Sequence, residues 1–128
     1  AVGGSAPAGA TALDDLADVA LDAGGIDAFY ASDLDLVLRT RGVRRLVLAG
    51  VGLETCVHST MRDANDRGYE CLLVVDACVP VAPDLVGAAV SSVEMSGGIF
   101  GAVGRTAAVV TSLTTRPVSP VPTSGALS

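Results

Sequence analysis

Cys56 is the side chain in this sequence best placed for covalent chemistry. It follows the apolar residues 46–49 and the tight turn that begins at Gly50. The first turn of a helix has unbonded N–H groups and a partial positive charge, and both favour the thiolate, the nucleophilic form of a thiol. A buried cysteine that only packs fits this position equally well. Cys56 is therefore a candidate nucleophile, with a structural cysteine as the alternative.

The elements around Cys56 are predicted from hydrophobic periodicity. Residues 45–49 have the length and β-branched content of a buried strand. A helix is expected to begin at Glu54 or Thr55 and to end at Gly68. A strand, a tight turn and a helix in this order bring the first helical residues to the carboxyl end of a sheet, where open α/β folds place their sites. The sequence therefore predicts that Cys56 lies at that edge.

Further strands and helices alternate along the chain. The predicted elements are strands at residues 18–22, 71–75 and 107–111, and helices at residues 33–40 and 84–95. Continuous apolar strands between helices predict a three-layer αβα sandwich, Rossmann-like, with a mainly parallel sheet covered on both faces. The α/β domain is expected over residues 12–113, with a flexible lead at residues 1–11 and a flexible tail at residues 114–128.

Composition limits the classes of function. The 128 residues include 8 basic and 14 acidic side chains, and the net charge of −6 argues against nucleic-acid or anionic membrane partners. No apolar run reaches the roughly 18 residues that a membrane helix needs. The 3 cysteines and 1 histidine match neither a zinc site nor a disulfide framework. We therefore predict no metal, no cofactor and a reducing, cytoplasmic location.

A set of motifs follows the candidate nucleophile at fixed spacing. G-V-x-x-x-x-C-V is followed by T-x-R-D-A, by G-Y and by D-A-C within residues 50–78. In these motifs the chain resembles the isochorismatase-like cysteine hydrolases, nearest the branch of biuret and ureidoacrylate hydrolases. The likeness covers roughly residues 13–113 and the carboxyl-terminal two-thirds of the family fold. The family's first strands have no counterpart in this stretch.

The resemblance implies a reaction and a set of backbone donors. Cys56 would attack the carbonyl carbon of a small amide or ureide and form a thioester. The backbone N–H groups of Gly52 and Cys56 would form the oxyanion hole, which needs two well-aimed donors. Members of the family often have a cis peptide at this turn, which would join Val51 and Gly52 here.

The resemblance also suggests residues for the substrate pocket. Phe29 and Tyr30 match an A-F-Y segment that borders the family's pocket, although core packing explains them equally well. Ser96 stands where this branch usually has glutamine, and it is a third candidate for substrate binding. His58 lies on another face of the helix from Cys56, so we interpret it as structural.

Two catalytic groups of the family have no match in this sequence. The position of the family's lysine falls on Ala23, and the chain contains no lysine. The family's general base, an aspartate on a first strand with the pattern D-x-Q, has no counterpart in residues 1–20. A positioned base contributes roughly 10²–10⁴-fold to a rate, so activity is expected to be impaired.

Three hypotheses about function follow. In the first, the chain is part of a cysteine amidohydrolase whose missing strands are encoded upstream or supplied by another chain. In the second, it is a non-catalytic binding or assembly subunit that kept the fold, as the alanine at position 23 favours. In the third, it is a degraded product without a function. The resemblance implies a homo-oligomer or a complementing subunit, because the family usually forms dimers or tetramers and an incomplete sheet has an unpaired edge.

Overall fold

The fold alternates helices and strands along the chain. The computed structural model describes residues 17–115. In chain order, the elements are α1 (Leu34–Thr40), β1 (Arg45–Val51), a π-helical turn (Leu53–Val57), α2 (His58–Asp66), β2 (Glu70–Val79), a 3₁₀ turn (Pro83–Leu85), α3 (Val86–Glu94), β3 (Ala102–Gly104) and α4 (Thr106–Thr115). This order confirms the predicted α/β class. The predicted lead at residues 1–11 lies outside the described residues.

The three strands form one parallel sheet in the order β1-β2-β3. Leu48 pairs with Leu73, but two residues later Gly50 pairs with Cys78, so β2 bulges between these positions. Beyond the bulge Val51 pairs with Val79, and the carboxyl ends of β1 and β2 lie side by side. The turn that carries Cys56 therefore begins beside the end of β2.

Alternating side chains of the sheet face a helical layer. Leu73 of β2, Met61 of α2 and Val93 of α3 are completely buried. The core cluster contains Phe29, Val57, Met61, Ala64, Tyr69, Cys71, Leu73, Val93 and Phe100. On the opposite face of β2, Val74 is also buried, and α4 packs against this strand. Helices therefore contribute to both faces of the sheet.

Two predicted strands are wrong. Residues 107–111 lie in a helix, because the Asp76 carboxylate accepts hydrogen bonds from the Thr106 N–H at 2.7 Å and from its hydroxyl at 3.0 Å, which caps the helix start. A short apolar run without alternation does not distinguish helix from strand. Residues 18–22 form no strand, and only Leu21 makes an isolated β-bridge, since the neighbouring aspartates and paired glycines favour irregular structure.

The ends of the domain and the edge of the sheet bear on the remaining predictions. Helix α4 continues through Thr115, two residues beyond the predicted domain end at residue 113. Within residues 17–115, strand β1 is an edge of the three-stranded sheet, and its Val47 and Val51 are 55% and 71% exposed. Association through this edge stays a prediction. Among residues 17–115, no helix is long and apolar enough to span a bilayer.

Candidate active site

The turn after β1 presents Cys56 at the carboxyl edge of the sheet. Gly52 has a left-handed backbone with φ of +87°, which reverses the chain into the π-helical turn. A Cβ atom at Gly52 would lie 2.5 Å from the Thr55 hydroxyl oxygen, so only glycine fits without a shift. All peptide bonds within residues 17–115 are trans, and the expected cis bond between Val51 and Gly52 is therefore wrong. The left-handed glycine makes the turn instead.

The thiol of Cys56 is exposed, unlike the other two cysteines. The Thr55 hydroxyl lies 3.8 Å from the Cys56 sulfur and 3.4 Å from the Gly52 carbonyl oxygen, so it can donate its one hydrogen to either acceptor. Cys71 is buried, and its burial raises the pKa of the thiol to about 11. Burial also raises the pKa of the Cys78 thiol, whose sulfur lies 3.2 Å from the Val74 carbonyl oxygen. Cys56 is thus the accessible thiol, and the buried structural alternative does not apply to it.

The backbone N–H groups of Gly52 and Cys56, which are predicted to hold an oxyanion, have different surroundings in this structure. The Gly52 N–H donates to the Val79 carbonyl oxygen at 2.7 Å, so in this conformation it is engaged across the strand ends. An oxyanion role for the Gly52 N–H would require this bond to open, and that role stays a prediction. The Cys56 nitrogen lies 3.4 Å from the position that a Cβ at Gly52 would occupy, so the two residues are in close contact. An oxyanion role for the Cys56 N–H stays a prediction.

Glu54 connects the nucleophile turn to the segment that follows β2. Its Oε1 accepts a hydrogen bond from the Val81 N–H at 2.8 Å and a short one from the Ala82 N–H. The bond from Ala82 is the main cause that lowers the pKa of the Glu54 carboxyl. The second oxygen, Oε2, is buried and has no hydrogen-bond partner among the described residues. Sequence reasoning considered Glu54 only as a possible helix start.

The loop that contains the family's lysine position is anchored on α2. The Ala28 N–H donates to the buried Thr60 hydroxyl at 3.0 Å. The Phe29 ring is 3% exposed and stacks on Tyr69 at 5.8 Å between centroids. Tyr30, in contrast, is 64% exposed. The structure therefore places Phe29 in the core and Tyr30 on the surface, and it does not bring the two together at one pocket.

A charged cluster supports the same loop. The Arg67 guanidinium lies 4.9 Å from the centre of the Phe29 ring and pairs with Asp63 at 2.8 Å. This pairing is the main cause that lowers the pKa of the Asp63 carboxyl. Burial, and then a hydrogen bond with Asp63, raises the pKa of the Asp27 carboxyl. These groups anchor the loop on α2, and the one-turn spacing of Asp63 and Arg67 was the available sequence signal.

Ser96 and His58 have local packing roles. The Ser96 hydroxyl donates to the Val93 carbonyl oxygen at 2.8 Å and accepts from the Phe100 N–H at 2.9 Å, so it shapes the loop after α3. The His58 ring meets Phe100 edge-on at 5.4 Å, and its burial lowers the pKa of the imidazole. A neutral, packed histidine agrees with the structural interpretation of His58. Substrate binding by Ser96 stays a prediction.

A cavity of about 310 Å³ lies at the opposite edge of the sheet from Cys56. It opens where β2 and β3 begin, and it is lined by Asn65, Tyr69, Glu70, Cys71, Gly98, Ile99, Gly101 and Ala102. Its position at the amino ends of the strands separates it from the nucleophile turn. In the part of the chain that the structure describes, no three His, Cys, Asp or Glu side chains are grouped to bind a metal.

The sequence of this chain matches the model of a known protein family and is similar to that of a known enzyme. Residues 4–108 match the model of the isochorismatase domain. The chain is 38% identical over 100 residues to the ureidoacrylate amidohydrolase RutB of Caulobacter vibrioides, an alignment that covers 74% of this chain and 43% of the relative. The chain therefore spans less than half the length of this curated relative.

Solved structures give the same result for the fold. An isochorismatase family protein from Burkholderia thailandensis superposes with a TM-score of 0.70 at 32% identity, over 77% of this chain and 50% of that one. The nicotinamidase PncA from Bacillus subtilis superposes with a TM-score of 0.63 at 29% identity, over 67% of this chain and 46% of that one. These matches confirm the predicted three-layer α/β architecture.

Proposed function

The chain belongs to the isochorismatase domain family, and from this premise we propose that it is a cysteine hydrolase acting on a C–N bond of a small amide or ureide. The observation that carries the proposal is the exposed Cys56 thiol in the turn at the carboxyl end of β1. The name of the Caulobacter relative, a ureidoacrylate amidohydrolase, supports the substrate class.

The reaction would proceed in two steps. The Cys56 thiolate attacks the carbonyl carbon, the tetrahedral intermediate collapses, and the C–N bond breaks as the leaving nitrogen takes up a proton. Water then attacks the thioester, which releases the acid and regenerates the thiol. The Thr55 hydroxyl, 3.8 Å from the sulfur, is the nearest hydrogen-bonding side chain to Cys56 that the structure records.

The first step is impaired in this chain, because it lacks groups that the family uses. Ala23 occupies the lysine position and the sequence contains no lysine, so no neighbouring lysine can substitute. The general base also has no counterpart in residues 1–20. An amide needs a proton at its leaving nitrogen, whereas an activated ester does not. We therefore expect slow thioester formation from an activated ester and no measurable turnover of amides.

A non-catalytic binding or assembly role is the alternative. Ala23 supports this alternative, because an alanine at the position of the family's lysine lacks the positive charge that the lysine would provide. The engaged Gly52 N–H supports it as well, since the turn as it stands does not offer that donor to an oxyanion.

The two functions are distinguished by acylation with p-nitrophenyl acetate and by ammonia release from biuret. We expect one slow equivalent of p-nitrophenol and a mass increase on Cys56, with no measurable ammonia. Cys56→Ala should abolish the acylation, and Cys78→Ala should leave it unchanged. Ala23→Lys should not restore amide turnover, because the general base is still missing.

The possible results separate the proposals. Acylation that persists in Cys56→Ala would refute the role of Cys56 and favour the non-catalytic alternative. Robust, Cys56-dependent release of ammonia by the unmodified chain would refute the impairment, and it would mean that another carboxylate acts as the base.

A further inference from the structure

The contacts of Glu54 join two segments that are far apart in sequence. Glu54 lies in the turn after β1, whereas its partners Val81 and Ala82 follow β2, 27 and 28 residues later. Both partners are backbone N–H groups, and both bond to the same carboxylate oxygen. The Glu54 side chain therefore links the segments that follow β1 and β2, because it accepts hydrogen bonds from backbone N–H groups as a neighbouring strand would.

A second connection lies beside the first. The Gly52 N–H donates to the Val79 carbonyl oxygen at 2.7 Å, just after the paired residues Val51 and Val79. Gly52 in turn accepts bonds from the N–H groups of Thr55 and Val57, at 3.1 and 3.0 Å. Cys56 thus lies in a turn that is fixed at Gly52 and at Glu54, both of which come just before it in the chain.

The other carboxylate oxygen is unusual. Glu54 Oε2 is buried without a partner among residues 17–115, and a buried acceptor that makes no hydrogen bond costs free energy. A neutral or apolar side chain would avoid this cost. An ionised carboxylate is nevertheless the strongest acceptor for two backbone N–H groups at one oxygen.

From these contacts we propose that Glu54 is a positioning residue, which clamps the nucleophile turn to the backbone of Val81 and Ala82 and thereby fixes the orientation of the Cys56 thiol. The inference rests on the proposed function for its catalytic meaning. The clamp is a structural property that can be measured without turnover.

The experiment compares Glu54→Ala and Glu54→Gln with the unmodified chain and with Glu70→Ala. Glu70 is an exposed glutamate whose side chain pairs with Arg45 at the other end of the sheet, so it controls for the loss of one acidic group. Amide hydrogen exchange is measured at Gly52, Val81 and Ala82. The rate of Cys56 acylation by p-nitrophenyl acetate is divided by its rate of alkylation by iodoacetamide. Acylation needs an oriented oxyanion site, whereas alkylation needs only an accessible thiolate.

In Glu54→Ala we expect exchange at Val81, Ala82 and Gly52 to become at least about tenfold faster, and the acylation-to-alkylation ratio to fall at least about tenfold. Glu54→Gln keeps one carbonyl oxygen as an acceptor, so its exchange rates and its acylation-to-alkylation ratio should lie between those of Glu54→Ala and those of the unmodified chain. Glu70→Ala should match the unmodified chain in both readouts.

Unchanged exchange at Gly52 in Glu54→Ala would overturn the proposal, and so would a parallel loss of acylation and alkylation, which indicates a purely structural role. If the unmodified chain did not acylate at Cys56, the proposed function would fail. The exchange rates at Gly52, Val81 and Ala82 would then still decide whether Glu54 is a clamp.

Discussion

Replacing Gly52 by alanine tests how tightly the turn around the nucleophile is packed. Gly52 has a φ of +87°, and a Cβ atom there would lie 2.5 Å from the Thr55 hydroxyl oxygen, 3.4 Å from the Cys56 nitrogen and 3.5 Å from the Cys56 sulfur. The substitution therefore adds two separate costs, which are backbone strain and a steric overlap. The structure offers a matched control for the first cost alone.

Gly68, which follows α2, is that control. Its φ is +92°, and a Cβ there would meet nothing within 4 Å. A residue with a Cβ in the left-handed conformation destabilises the fold by about 1–2 kcal/mol. Alanine also lowers the conformational entropy of the unfolded chain relative to glycine, which offsets about 0.4–1 kcal/mol of this loss. Gly68→Ala should therefore destabilise by about 1 kcal/mol. Overpacking adds about 1–3 kcal/mol, so Gly52→Ala should cost about 2–4 kcal/mol.

The assay is urea unfolding of both variants, each also made in a Thr55→Ala background. Removal of the Thr55 hydroxyl abolishes the closest overlap. In that background Gly52→Ala should cost no more than Gly68→Ala. The coupling free energy between positions 52 and 55 should accordingly be about 1–3 kcal/mol, since contacting residues deviate from additivity by this amount.

Two results would refute the reasoning. Equal unfolding free energies for Gly52→Ala and Gly68→Ala would mean that the turn opens freely and does not hold Cys56 in place. If the double variant lost as much unfolding free energy as the sum of Gly52→Ala and Thr55→Ala, a group other than the Thr55 hydroxyl would be responsible for the destabilisation by Gly52→Ala. An unchanged slope of the unfolding free energy against urea is required for either comparison.

Three further predictions concern other contacts of the site. Iodoacetamide at neutral pH should label Cys56 before Cys71, because burial raises the pKa of the Cys71 thiol to about 11; peptide mass mapping gives the order, and earlier labelling of Cys71 contradicts it. Thr60→Val should cost about 1–3 kcal/mol of unfolding free energy, because the Ala28 N–H loses its acceptor, and a loss as large in Thr60→Ser would argue against this cause. The guanidinium one turn later lowers the pKa of the Asp63 carboxyl, so its contribution to stability is present above the unfolded pKa and is lost as the pH falls through the folded pKa. In Asp63→Asn, the unfolding free energy should therefore fall less steeply as the pH is lowered through the acid range. An unchanged pH dependence would exclude the Asp63 carboxylate as a cause of this loss of stability.

Much of the fold was predictable because local patterns determined it. The apolar runs that became β1 and β2 and the amphipathic pattern that became α2 agree with their tertiary surroundings, so periodicity identified them. The run at residues 107–111 became part of a helix, because a capping carboxylate comes from Asp76, some 30 residues away. A window on the sequence does not contain that partner.

The sequence by itself determined the chemistry that is available: a thiol after a strand and a glycine turn, and no lysine in the chain. These depend on residue type and local spacing, which the chain carries directly. Only the tertiary structure decided how the turn is held. The parallel pairing of β1 with β2 brings the ends of two distant segments together, so Gly52 bonds to Val79 and Glu54 bonds to the N–H groups that follow. Hydrogen bonds between strand ends depend on register, and the bulge in β2 that sets this register arises only when the strands pair.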